Sequence, residues 1–246
     1  MEFKFSNRIS GVQGSAIREI FKYGNRPEVI SLAGGNPAPE LFPSKEFAEI
    51  LAEILAKKPT EALQYGVTEG YAPLREYVKK FISERENIGR DFDETIIVSG
   101  GQQGIDLATK VLVNEGDAVI VEEPSFIGAL NAFRAYGAKL VGVPVKNDGM
   151  DIDVLEQKLN ETENVKIIYT IPTFQNPSGV TMSEEKRKKL YALAKKHGVV
   201  IIEDNPYGEL TFDGSKVPTI KSGDDEGVVL NSGIIATSKI VVVSIF

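Results

Sequence analysis

Two short polar clusters interrupt an otherwise apolar stretch, and their residue types suit a site better than a core. Asn176-Pro177-Ser178-Gly179 closely follows the apolar run Lys166 to Ile171, and Asp204-Asn205-Pro206-Tyr207 follows a second run, Gly198 to Glu203. A carboxylate that leaves a buried strand is costly to desolvate unless a cation meets it, so Asp204 requires a partner. A lysine, an arginine or a helix N-terminus would serve, and so would a protonated ring nitrogen. A third cluster, Gly100-Gly101-Gln102-Gln103-Gly104, follows the apolar run Thr95 to Ser99. Two successive glycines before a helix let the N–H groups of Gly101 and Gln102 face outward at its positive end, which is a seat for a phosphate. Many α/β proteins use glycine at such a turn only for tightness. The P-loop spelling GxxxxGK[ST] is absent, and so is the spacing of a dinucleotide fingerprint.

These clusters need elements that deliver them to one place. Ser183 to His197 has helical spacing, with Ser183 as N-cap, Glu184 and Glu185 at the positive end of the dipole, Lys195, Lys196 and His197 at the negative end, and Gly198 in the left-handed position beyond. Strand, helix and strand over 166–203 make a βαβ unit, whose right-handed crossover leaves the two strands parallel. Ligands of open parallel sheets bind beyond the carboxyl ends of the strands, where all three clusters fall. Further strands are expected at Ala118 to Glu122, Lys139 to Val143 and Val228 to Leu230, with an edge strand at Glu209 to Phe212.

Helices are expected over 13–23 and at Ser44 to Lys57, the latter with Ser44 as cap and Phe47, Ile50, Leu51, Ile54 and Leu55 on one face. Tyr71 to Asn87 is another, with Leu74, Tyr77, Val78, Phe81 and Ile82 inward. A helix follows the glycine turn with Ile105, Ala108, Val111 and Leu112 on one face, one ends near Tyr136, and a short one runs from Asp151 to Asn160. Regular β-α alternation without an internal repeat predicts an α/β fold: a mostly parallel sheet with helices on both faces.

The 246 residues are 42% hydrophobic, ample for a buried core. The net charge of −7 is spread among interspersed acids and bases with no basic block, which argues against a nucleic-acid surface. With no cysteine and the single histidine His197, no disulfide and no metal site are expected. The start MEFKFSNR has no apolar signal core, and no run approaches the ~20 residues that span a bilayer, so no membrane partner is expected and the cytoplasm is the expected location.

Asn176-Pro177-Ser178-Gly179 and Asp204-Asn205-Pro206-Tyr207, at successive strand ends with a capped helix between them, resemble the fold-type I pyridoxal phosphate (PLP) aminotransferases, most of all the branch of the 2-aminoadipate and kynurenine enzymes. The resemblance implies PLP as cofactor and an amino acid and a 2-oxo acid as substrates. It assigns Asp204 to the ring nitrogen, held charged so that the ring accepts electrons, and Tyr207 and Asn176 to the ring oxygen, with Asn176 also facing substrate. Gly101 and Gln102 fall where the family binds the cofactor phosphate. Phe126 either opens the core face of the following helix or stacks on the ring, as the family's aromatic at this position does. Ser31 to Pro43 resembles the loop that lies over the substrate, with Gly34 and Gly35 allowing close backbone approach. Tyr65 falls in the motif whose tyrosine reaches the cofactor phosphate of the neighbouring subunit, which implies a homodimer. Residues 1–43 are then an N-terminal arm and covering loop, and 44–246 the PLP-binding large domain.

Such chemistry needs a lysine that forms an imine with the cofactor aldehyde and shuttles the proton of the substrate's α-carbon. Thr237-Ser238-Lys239 resembles the family's S-x-S-K turn, which makes Lys239 the catalytic candidate and Ser238 a cofactor contact; Lys221 is the second candidate. The inserted Ile234-Ile235-Ala236 and the tail after Lys239 depart from the family pattern, so the resemblance covers nearly all of 1–233. The small domain, with its substrate-carboxylate arginine, is expected to be largely missing, and transaminase activity of this chain low unless Arg8 or Arg18 supplies the clamp. A PLP lyase of the same fold and the effector-sensing domain of a transcription regulator are the alternatives; the latter calls for a basic winged-helix segment upstream.

Overall fold

The computed structural model describes residues 6–10, 28–30, 39–232 and 240–244. The helix expected over 13–23, Gly34, Gly35, Ser238 and Lys239 lie outside the described residues. The chain divides into two compact units, one of residues 14–68 and one of 1–13 with 69–246. Helices are numbered from the single turn at Asn7–Ser10, α1.

In the smaller unit, α2 (Ser44–Lys57) and α3 (Pro59–Leu63) follow one another. Ser44 is the first helical residue rather than the cap; Pro43 takes that position and offers no side-chain acceptor. The apolar stripe of α2 forms with the expected i, i+3, i+4 spacing, and its five residues, Phe47, Ile50, Leu51, Ile54 and Leu55, are 40 to 58% exposed.

The larger unit opens on α4 (Ala72–Glu86), which starts with Pro73 in its first turn and stops at Asn87 in the left-handed region. Val78 and Ile82 are buried with Leu74 and Phe81 packed against them, whereas Tyr77 is 62% exposed on the flank of that face. Then come β1 (Thr95–Ser99), α5 (Gly101–Leu112), β2 (Ala118–Glu123), α6 (Ile127–Ala135), β3 (Lys139–Lys146) and the two-residue β4 (Gly149–Met150). They are followed by α7 (Ile152–Glu161), β5 (Val165–Thr170), α8 (Glu184–His197), β6 (Val200–Asp204), β7 (Val229–Ser232) and β8 (Ile240–Ser244). In α5 the buried face centres on Gly104, Ile105 and Ala108, and Val111 turns outward.

Six strands form one sheet in the order β4-β3-β2-β5-β6-β7. All neighbours are parallel except the antiparallel β3–β4 edge, while β1 and β8 pair antiparallel in a second sheet. The central strands are apolar at successive positions because both faces are covered. Ile120, Ile168 and Ile201 pack with Leu155 and Leu190 of α7 and α8; Val119, Val121, Ile167, Tyr169 and Ile202 pack with Ile105 of α5 and Phe133 of α6. The α/β layering expected from the sequence is what the chain adopts.

Helix α8 forms as its ends dictate. Ser183 Oγ accepts from Lys186 N at 3.4 Å, and Gly198 at φ 65° lets its own N–H and that of Val199 cap the last carbonyls. Glu209 to Phe212 is not a strand. Pro206 and Gly208 put its start in a turn closed by Leu210 N to Tyr207 O. Two strands had no expectation behind them: β4, too short to show a period, and β8, in the tail beyond Lys239.

Candidate functional site

The carboxyl ends of β2, β5 and β6 carry the polar residues singled out above. Asp204 is the last residue of β6 and shares a sheet face with Ile202, the face covered by α5 and α6. It is 6% exposed, and Tyr169 Oη of the neighbouring strand donates to its Oδ2 at 2.7 Å. Burial, then the Asp204 charge, push the Tyr169 phenol well above its ordinary range, so it remains a donor. Beyond the strands, Asn176 Nδ2 donates to Tyr207 Oη at 3.4 Å, linking the two loops that the sequence motifs define.

The glycine turn reaches the same face from α5. Gly100 is at φ 88°, left-handed backbone that glycine alone adopts freely, and Gly101 and Gln102 are the first residues of the helix, where N–H groups lack intrahelical acceptors. Gln102 Nε2 donates to Gly128 O at 3.0 Å, which ties this turn to the start of α6. A Cβ on Gly128 would sit 2.5 Å from the Phe126 ring and from Gln102 Oε1, so glycine there is what lets the ring and the amide close over the helix start. Phe126 and Tyr207 are half-buried against one apolar cluster, that of Val121 and Tyr169. Preceding Phe126 in the chain, Ser125 Oγ is buried and has no hydrogen-bond partner among the described residues. A hydroxyl, a half-buried aromatic ring and the N–H groups of a helix start, with a buried carboxylate as acceptor, fit a flat, anionic heterocycle carrying a basic ring nitrogen.

The sequence profile of the family described as aminotransferase class I and II matches residues 27–238. The chain belongs to that family. It is 46% identical over 233 residues to aromatic-amino-acid aminotransferase 1 of Thermococcus litoralis, covering 93% of this chain and 56% of that one. Against the 2-aminoadipate transaminase of Thermus thermophilus the identity is 43% over 216 residues, covering 88% and 53%. The crystal structure of Pyrococcus horikoshii kynurenine aminotransferase, solved with PMP and kynurenine, superposes with a TM-score of 0.90 at 41% identity, over 98% of this chain and 62% of that one. The chain thus spans about half the length of these curated relatives.

In this member of the family Lys221, the second lysine candidate, is committed elsewhere. Its Nζ lies 2.6 Å from Asp93 Oδ1 and 2.8 Å from Asp224 Oδ2, and it is 3% exposed. Asp224 in turn takes the Tyr191 hydroxyl of α8, which puts the cluster on the sheet face opposite Asp204. Tyr65 lies in the smaller unit with its side chain 99% exposed. A cavity of about 120 Å³ lined by Thr173, Phe174, Thr181 and Asn205 takes in none of Gln102, Phe126, Asn176 or Tyr207.

Two residues of the candidate site, Tyr169 and Glu122, had no motif to announce them, and Gln175 had only its place beside Asn176. Tyr169 sits inside a run that reads as apolar core, and Glu122 reads as the polar end of another. Glu122 is buried and accepts from Thr170 Oγ1 at 2.6 Å, Ile171 N at 3.1 Å and Gln175 Nε2 at 3.2 Å. Gln175 also donates to Pro124 O and accepts from Ser178 N, so it braces the Asn176 loop against the turn that carries Phe126. The available signal was Glu122, a charged residue one step inside the end of β2, where a carboxyl group cannot stay buried without hydrogen-bond partners.

Proposed function

We propose that this chain carries the cofactor-binding part of a PLP-dependent enzyme that transfers an amino group between an amino acid and a 2-oxo acid. The observation behind this reading is the buried carboxylate of Asp204, held by a phenol at the end of a parallel strand and facing the side on which Phe126 and the glycine turn lie. Bound PLP supplies an electron sink for the pair released at the substrate's α-carbon. Asp204 would hold the proton on the ring nitrogen, and its charge is what keeps that proton there. Tyr207 and Asn176, already hydrogen-bonded to each other, would donate to the ring oxygen, Phe126 would orient the ring, and the N–H groups of Gly101 and Gln102 would take the phosphate. Gly34, Gly35 and Asn176 would face the substrate, and residues 1–43 would act as arm and covering loop ahead of a large domain from residue 44. Tyr65 would serve the phosphate of a second copy in a homodimer.

Lys239 would take the α-proton and return it, with Ser238 beside it on the cofactor. What supports Lys239 is the register of the strands on either side of it. Ser232, the last residue of β7, pairs with Asp204, and Ile240, bonded to Lys239, pairs with Ser99 just ahead of the glycine turn. Borohydride reduction of the chain in the presence of PLP, followed by peptide mapping, is expected to leave a pyridoxyl group on Lys239. A label on Lys221, or on neither lysine, removes Lys239 from its role.

A further inference from the structure

Asp204 is held by a residue whose own placement comes from the core. Tyr169 is fully buried, its ring meets Phe133 edge-on with centroids 5.5 Å apart, and in the β5–β6 register it pairs with Ile202, diagonal to Asp204 on the same face. The hydroxyl therefore has one position, set by strand pairing and aromatic packing rather than by a loop. An O–H donor 2.7 Å from a carboxylate oxygen is a charge-assisted hydrogen bond, and it offsets part of the desolvation that burial imposes on Asp204.

We propose that Tyr169 is a positioning residue of the cofactor site: its hydroxyl fixes the rotation of the Asp204 carboxylate and favours its ionised form, so that a ligand with a protonated aromatic nitrogen meets a charge already aimed. This rests on the reading of Asp204 given above and adds to it a residue that touches neither cofactor nor substrate. Tyr169→Phe removes one oxygen and leaves the ring packing intact. A purely structural tyrosine and a positioning one then differ in which ligands lose affinity.

The test compares two ligands by titration calorimetry on the 246-residue chain. Pyridoxine 5′-phosphate has the ring nitrogen but no aldehyde, so its binding does not depend on any lysine; its 1-deaza analogue has carbon in place of that nitrogen. Tyr169→Phe is expected to weaken pyridoxine 5′-phosphate by about tenfold, the low end for a hydrogen bond to a charged group, and to leave the deaza analogue unchanged. In an Asp204→Asn background the same substitution is expected to change neither, because the group it acts through is gone. Equal weakening of both ligands, full additivity with Asp204→Asn, or a Tyr169→Phe chain that does not fold would each assign Tyr169 to the core and overturn the inference. Failure of the unsubstituted chain to bind pyridoxine 5′-phosphate would instead overturn the cofactor reading itself, and the inference with it.

Discussion

Glu122 is a carboxyl that the fold makes easier to protonate. Burial raises it to about 7, against the hydrogen bonds from Thr170, Ile171 and Gln175 that pull the other way. Between the ordinary carboxyl range and about 7 the folded chain holds a proton that the unfolded chain has released, so stability falls as pH rises through this window, by about 3 kcal/mol in all. Glu122→Gln is expected to flatten that part of the profile, as read from urea midpoints of both chains at about pH 5 and about pH 8. An unchanged slope would mean that Glu122 titrates in its ordinary range. Glu122, Gln175 and Tyr169 show why a site is only half legible as sequence. Asp204, Asn176 and Tyr207 stand out because they follow or break apolar runs at strand ends, whereas Tyr169 and Glu122 are spelled as members of such runs, and the role of all three holders exists only once strands pair.

At the scale of elements, the ends of α8 and the strands β1, β2, β3, β5 and β6 follow from caps, glycines and apolar runs that act locally. Glu209 to Phe212 failed because the chain turns directly after β6, at Pro206 to Gly208, and a turn closed by Leu210 N to Tyr207 O leaves that segment no strand to pair with. The Lys221 cluster was likewise invisible, since Asp93, Lys221 and Asp224 come together from two distant segments. It joins the loop ahead of β1 to the loop ahead of β7, and Asp224 also accepts from Val228 N and Val229 N at the start of that strand. Lys221→Met leaves two carboxylates with their cation removed, and the expected loss is about 3–5 kcal/mol. The measurement is the urea midpoint of the variant; a midpoint within error of the parent would mean that the pair is solvated. The borohydride label on Lys239 is expected to survive this substitution in whatever fraction of the chain remains folded.

At the scale of the molecule, a site assembled from β2, β5, β6 and the start of α5 links ligand binding to the folding of the whole sheet. PLP at about 100 times its dissociation constant is expected to add about 2.7 kcal/mol to stability, read as a rise in the urea or thermal midpoint. A midpoint that PLP does not move would count against a cofactor site in this chain. The fold class was legible because strand and helix alternate throughout, but the pairing of β1 with β8 was not, since nothing local announces a partner so far along the chain. That pairing also bears on folding. Among the described strands, the one that introduces the glycine turn comes first along the chain, and its partner comes last. A pair so far apart along the chain closes a long loop, so the small sheet that leads into the glycine turn rests on the kind of non-local contact that folds slowly.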